Sequence, residues 1–558
     1  MKVFDNKSGV FNCRHFTRGE DMGYPPRLTR RQFLAAGGTI AGAAMLGWLP
    51  QVGRAAESAP VDAYALRVGY SARQLAGLRL RTRTYNSSLP GPLMVTRPGH
   101  ILRVTLSNSL PPDPPAVAPA GIDSENNPNH FNTTSLHVHG VQVIPHLFAP
   151  VGTSDPASRM IAIGSGQSLT YDFQLPDDHP AGLYWYHPHH HGSATVQVGG
   201  GMAGLILVKG AIDEVPEIAA ARDELLAIEN IKVNPINFSK TLWGWEPIAY
   251  KPADQGGYYF TTQMELITAN GRPVLVIDRR SKKPVATRQA LPTYQMRPGE
   301  VLRLRILNGT DGIPTPIVLP GFEVYVIGQD GINLLRPERV GEDAKTAMRM
   351  APGNRNEVLI RAPQKPMTGT LIALPQMPMS PNVLSEAMGE VMSAPEIALA
   401  SFVVAGAPMN MSIPEKLPTP TREYPLIRDD EIVARRKVVF SMKNGIKSIL
   451  TGVEFLIGGQ LYSETRIDNT VRLGTAEEWT LANNSDGIHP FHIHVNSFEV
   501  MGMPGNPEYH RLHDTVWLAP FSELKMRTRF KTWKGKTVYH CHILPHEDAA
   551  MIANFMIV

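Results

Sequence analysis

A twelve-residue pattern recurs three times along the chain and limits what it can fold into. "RPGHILRVTLSN" spans 97–108, "RPGEVLRLRILN" spans 297–308, and a fainter copy, "RLGTAEEWTLAN", spans 472–483. The glycine-to-asparagine offset is nine in each copy: Gly99 to Asn108, Gly299 to Asn308, Gly474 to Asn483. Each copy reads as a turn, then a strand with alternating apolar residues, then a closing turn residue. Copies 175–200 residues apart are too far separated for a solenoid, whose units recur every ~20–50 residues, so they mark three related domains.

Between the copies run further short strands punctuated by Gly and Pro, such as "GMAGLILVKG" (201–210), "FEVYVIGQDG" (322–331) and "RNEVLIRAP" (355–363). With 48 Gly and 48 Pro, the chain favours turn-dense β structure over long helices. An all-β fold of sandwiches with Greek-key connections follows. The expected boundaries are near 210 and 410, giving domains over 57–210, 211–410 and 411–558. The Pro- and Met-rich stretch 364–420 is expected to hold a short helix at "LSEAMGEVM" and a linker. A formal charge of +4 over 558 residues, with no basic run, gives no footprint for nucleic acid or a membrane surface.

The N-terminal region reads "LTRRQFLAAGGTIAGAAMLGWLPQVGRAAES". Arg30-Arg31 precede an apolar stretch from Phe33 to Leu49, which ends in small residues at Ala55-Ala56. That stretch is short for a membrane span and is interrupted by Gly37, Gly38, Gly42 and Gly47. It resembles a cleaved twin-arginine signal over residues 1–56, with Met22 as an alternative start. The expectation is a periplasmic or otherwise extracytoplasmic mature protein, exported by the twin-arginine machinery and not stably inserted in a membrane. Cleavage would remove Cys13 and leave Cys541 as the one cysteine. An odd cysteine in an exported chain is a thiol or a ligand.

Four compact motifs hold twelve of the 19 histidines, and ten of those twelve read as candidate ligands. The motifs are "LHVHG" (His137, His139), "WYHPHHHGS" (His187, His189), "HPFHIH" (His489, His492, His494) and "HCHILPHEDAAM" (His540, His542, His546). All four lie in the two end domains, as expected for a metal site assembled across a domain interface. On a strand, residues i and i+2 share a face and i+1 takes the other. His540 and His542 therefore address one site and Cys541 another, so one strand joins two metal sites by a short electron path. One thiolate, two imidazoles and a distant thioether match the trigonal blue-copper set with a weak axial methionine. Structural zinc uses more cysteines, and catalytic zinc needs only three ligands.

These four motifs, in this order and spacing, resemble the copper motifs of the multicopper oxidases, the laccase-like enzymes, and the likeness extends over residues 60–558. The resemblance implies three cupredoxin-like Greek-key β-sandwich domains and four copper ions. It assigns a type 1 copper to His489, Cys541, His546 and Met551, and a type 2 copper to His137 and His492. The type 3 pair takes His139, His187 and His542 on one ion and His189, His494 and His540 on the other. "HPHHHG" could instead supply His189 and His191, but Trp185-Tyr186 match the family pattern for His187 and His189. His100, His130, His146, His179, His510 and His513 read as structural.

The resemblance also implies a reaction in which four one-electron oxidations of a small reducing substrate are coupled to reduction of dioxygen to two waters. Glu547 matches an acidic position of the family and is the expected proton donor. Asp155 is the nearest equivalent of a second acidic position, and reads equally as a turn aspartate. Asp486 reads as a carboxylate at the electron-donor mouth or as an exposed loop residue. A laccase would take phenols or aromatic amines; a metallo-oxidase would take Cu(I) or Fe(II). Met367, Met377, Met379, Met388, Met392, Met409 and Met411 offer soft donors for Cu(I), although Met388 and Met392 at helical spacing equally suit core packing. A cupredoxin-fold cell-division binding protein that has lost its ligands, and a two-domain nitrite reductase, fit less well. Every ligand position here is filled, and there are three repeats.

Overall fold

The computed structural model describes residues 59–113, 124–126, 128–235, 245–247, 249–252, 258–261, 264–278, 283–285, 291–375, 396–443, 453–503 and 506–558. The expected signal segment with Cys13, the "LSEAMGEVM" helix, and Met377, Met379, Met388 and Met392 lie outside the described residues. Among the described residues no helix is long and apolar enough to cross a membrane.

The three sequence copies become three equivalent strands, Ile101–Asn108, Val301–Asn308 and Ala476–Asn483. Each has a parallel neighbour on one side: Val61–Leu75, Arg222–Pro235 and Ile432–Lys443. Each has an antiparallel neighbour on the other: Ser168–Gln174, Arg355–Arg361 and Glu523–Arg529. The glycine opening each copy has φ between 72° and 80°, a conformation that costs glycine little and a residue with a Cβ much more.

The closing asparagine is the second shared device. Asn108 donates to the carbonyls of Asn132 (2.7 Å) and Ile163 (2.8 Å). Asn308 donates to Ile313 (2.8 Å) and Met350 (3.1 Å), and Asn483 to Gly487 (2.7 Å) and Ala519 (3.0 Å). Each therefore ties two loops to the end of its strand and satisfies carbonyls that would otherwise be buried without partners. The loop tied by Asn483 leads directly into His489.

The three apolar cores are separate along the sequence, drawing on residues 66–208, 226–404 and 438–557. Alternation explains the pattern: Leu102, Val104 and Leu106 point into the first core, and Leu302, Leu304 and Ile306 into the second. The fold is all-β, three sandwiches of cupredoxin-like kind. The first two share a sheet, because the short strand Trp245–Pro247 pairs with both Leu78–Tyr85 and Arg222–Pro235. A further apolar cluster of Leu147, Phe148, Met160, Tyr462, Val538, Ala550 and Ile552 seals the first sandwich against the third.

Candidate metal centre

Strand pairing sets the histidines. His137–His139 runs antiparallel to Gly182–His187, with His137 opposite His187. His489–Ile493 runs antiparallel to Gly535–Cys541, with His492 opposite His540 and Phe491 opposite Cys541. Strands from the first and third sandwiches thereby bring four donor groups together: His137, His139 and His492; His139, His187 and His542; His189, His494 and His540; and His489, Cys541 and His546. Within each group the donor atoms lie within 4.8 Å of one another. The ring of His191 instead packs against Tyr462, with centroids 4.7 Å apart.

The strand alternation is visible at residues 540–542. His540 and His542 enter two different histidine groups, while Cys541 enters the fourth, on the other face. Cys541 Sγ lies 3.6 Å from His489 Nδ1 and 3.5 Å from His546 Nδ1, and the two nitrogens are 3.1 Å apart. Ile543 donates its N–H to the sulfur at 3.5 Å. Met551 is fully buried in the same apolar cluster, and its carbonyl accepts the Cys541 N–H at 3.0 Å. Phe455 stacks on His546 (4.3 Å), and Ser485 Oγ meets His489 Nε2 at 2.8 Å.

The donor set suits copper. His137 Nε2, His187 Nε2 and His492 Nε2 are buried with no hydrogen-bond partner, which is costly unless something else binds there. His189 Nε2 and His494 Nε2 each lie 3.2 Å from His540 Nε2, and His542 Nε2 lies 3.2 Å from His139 Nδ1. Nitrogens so close repel as lone pairs but fit around a cation about 2 Å from each. Burial pushes His187 down to about 3 and His540 to about 4. It holds His137, His139, His189, His489, His492, His494 and His542 well below the ordinary range. The imidazoles are therefore neutral and ready to ligate.

The carboxylates divide sharply. Glu547 is fully buried, 3.3 Å from His189 Nδ1 and 3.5 Å from His540 Nδ1, and burial raises its pKa well above the usual carboxylate range. Asp155, read equally as an acidic group of the cluster and as a turn aspartate, takes the turn role. It is exposed, and its carboxylate caps a turn by accepting the Ala157 N–H at 2.9 Å. A short polar side chain can close such a turn on itself, and that local bond is what this aspartate makes. Asp486 is half-buried on the loop before His489.

Sequence reading missed five groups around the cluster. Asp548, beside Glu547, is buried and accepts the N–H groups of Gly192 (2.7 Å) and Thr195 (2.8 Å), fixing the "HHHGS" loop to the third sandwich. Asp514 Oδ1 lies 3.2 Å from His139 Nε2, and its carbonyl accepts from His492 Nδ1 at 2.8 Å. Arg355, fully buried on a strand of the middle sandwich, grips Asp514 with two bonds of 2.9 and 2.6 Å. Gly353, also from the middle sandwich, lies so close that a Cβ there would stand 3.1 Å from both His139 Cε1 and His542 Nε2. The fifth is His146, whose Nε2 meets His137 Nδ1 at 3.1 Å. A middle domain without an HxH motif looked uninvolved; the only sequence hint was the "PGNR" turn at 352–355.

A fold of three cupredoxin-like sandwiches, with a metal-binding site built by the first and third, defines the class of protein. The family model described as multicopper oxidase matches residues 434–558, and a second of the same description matches 119–212. The chain is 25% identical over 567 residues to multicopper oxidase MmcO of Mycobacterium tuberculosis, covering 94% of this chain and 96% of that one. It is 24% identical over 487 residues to multicopper oxidase mco of Staphylococcus haemolyticus, covering 85% and 84%. Among solved structures, a multicopper oxidase from Campylobacter jejuni described as a metallo-oxidase superimposes with a TM-score of 0.63 at 23% identity, covering 92% and 94%. A laccase-like multi-copper oxidase from Ochrobactrum gives 0.62 at 21%, covering 90% and 99%. The chain belongs to the multicopper oxidase family, and is an oxidoreductase that uses oxygen and a reducing substrate.

Proposed function

We propose that the protein is a laccase-like oxidase coupling four one-electron oxidations of phenols or aromatic amines to reduction of dioxygen to two waters. The observation that carries this reading is the strand ending at Cys541, which sets one sulfur in the His489–His546 group and the flanking imidazoles in two histidine groups. We propose four copper ions. His489, Cys541, His546 and Met551 hold a type 1 ion, and His137 and His492 a type 2 ion. His139, His187 and His542, with His189, His494 and His540, hold a type 3 pair. Copper so bound supplies one-electron redox chemistry and binds dioxygen.

The remaining work falls to the chain. Cys541 links the outer group to His540 and His542 through adjacent backbone, so electrons entering at His489 have a covalent route inward. Glu547, kept protonated by burial against His189 and His540, holds a proton at its carboxyl for delivery into the histidine-lined space. Asp486, three residues before His489, is the proposed carboxylate on the electron-donor side. The packed cluster of Leu147, Phe148, Tyr462 and Val538 excludes water from the seam between sandwiches. Domain edges near 210 and 410, and twin-arginine export to an extracytoplasmic location, belong to the same proposal.

A second reading, oxidation of Cu(I) or Fe(II), is favoured by one observation. The Met442 thioether lies 3.3 Å from the Cβ position of Gly487, on the loop to His489, and soft sulfur suits Cu(I). Oxygen uptake with a dimethoxyphenol and with Cu(I) separates the two. Laccase function predicts phenol turnover without added copper and no peroxide release. Phenol turnover only after copper addition, beside rapid Cu(I) oxidation, would favour the metallo-oxidase, and peroxide as the product would contradict four-electron reduction.

A further inference from the structure

We infer that His146 is a positioning residue that locks His137 in the tautomer presenting Nε2 to the metal. This rests on the copper-site reading above. His146 Nδ1 lies 3.0 Å from the carbonyl of Ile144; a carbonyl can only accept, so this nitrogen carries the hydrogen. His146 Nε2 receives the backbone N–H of Val138 at 3.3 Å; an amide can only donate, so this nitrogen offers its lone pair. The same lone pair faces His137 Nδ1 at 3.1 Å, with the two ring planes 17° from parallel. His137 Nδ1 must therefore be the donor. Its hydrogen is committed there, and Nε2, buried and without a protein partner, is left bare toward His139 and His492.

Other cluster histidines obtain the same service from the backbone. His187 Nδ1 donates to the Pro188 carbonyl, His540 Nδ1 to that of Cys541, and His492 Nδ1 to that of Asp514. At His137 the job falls to a side chain, nine residues along a loop and wedged edge-on against Phe173 at 5.0 Å. Outer partners of metal-bound histidines fix tautomer and ring orientation, and losing one lowers metal affinity by roughly 10–100-fold. Because His137 and His492 are the whole protein ligand set proposed for the type 2 ion, the loss should fall on that ion alone.

The test compares His146→Leu, which removes the acceptor, with His146→Gln, whose amide oxygen can accept from His137 and Val138 while its NH₂ donates to Ile144. Copper content is measured during chelator titration of the purified, copper-loaded proteins. Electron spin-echo modulation of the type 2 signal reads the remote nitrogen of each bound imidazole. The Leu variant should release one copper equivalent at ~10–100-fold lower chelator, with an altered remote-nitrogen coupling and an unchanged blue absorption. The Gln variant should restore both readouts. Retention of that copper by the Leu variant with unchanged coupling overturns the inference, as does equal loss in both variants. If Leu fails to fold, an altered coupling in the Gln variant that weakens its copper equally overturns it. A wild-type protein that binds no copper defeats the copper reading itself, a separate outcome.

Discussion

Replacing Arg355 with methionine tests whether the ligand-free middle domain supports the metal site. The guanidinium is fully buried and bonds Asp514 twice, at 2.9 and 2.6 Å; it also lies 3.7 Å from Asp330 and donates to the carbonyls of Gly353 and Leu183. Methionine fills similar volume and leaves two buried carboxylates without their cation. Breaking a buried pair from one side costs about 3–5 kcal/mol. At about 2–4 °C per kcal/mol for a domain of ordinary size, the transition should fall by roughly 6–20 °C. Calorimetry on the copper-loaded protein reads this directly. The double variant Arg355→Met/Asp514→Asn should recover part of the loss, because the carboxylate that Arg355 bonds twice is then gone and the more distant Asp330 keeps His513 at 2.9 Å. A single variant within about 1 kcal/mol of the parent, or a double variant no better than the single, would refute the argument that charge compensation is what Arg355 supplies.

Two further outcomes follow from burial and backbone geometry. Gly353→Ala puts a Cβ 3.1 Å from His139 and His542 at a φ of +91°. It should lower stability by about 1–2 kcal/mol and perturb the type 3 spectrum, whereas a parental spectrum would mean the rings give way freely. Glu229 is buried with both oxygens unpartnered, and desolvation raises its pKa to about 8. Between its unfolded value near 4.5 and about 8 the folded state alone keeps the proton, so stability falls as pH rises through that window. By pH 7 the loss is about 3 kcal/mol. Glu229→Gln should flatten the dependence, raising the melting temperature at pH 7 far more than at pH 4; equal shifts at both would contradict this.

The repeat was legible because a strand opened by a glycine and closed by an asparagine leaves a fixed-length trace, and the structure turns that trace into three equivalent strands. The histidine pairs were legible because period-two alternation makes an HxH motif a statement about faces. What surrounds them was not. His146 reaches His137 through a loop whose path no periodicity encodes. Asp514 and Arg355 meet across 159 residues, and an arginine on the buried strand Arg355–Arg361 shows its purpose only once a partner from another sandwich is in place. Asp155 read equally as an acidic group of the cluster and as a turn aspartate, and only the folded chain, where the Ala157 N–H binds its carboxylate, shows the turn.

In the proposed reading, Cys541 holds the copper that accepts electrons and is also the link to the histidine cluster. Cys541→Ser keeps the strand and exchanges only the sulfur, so the visible spectrum, copper content and oxygen uptake of that one variant test both halves together. The blue absorption should disappear, about one copper equivalent should be lost, and oxygen uptake with a phenol should stop while copper remains in the histidine groups. A serine variant that stays blue, or that consumes oxygen at the parental rate, would contradict the claim.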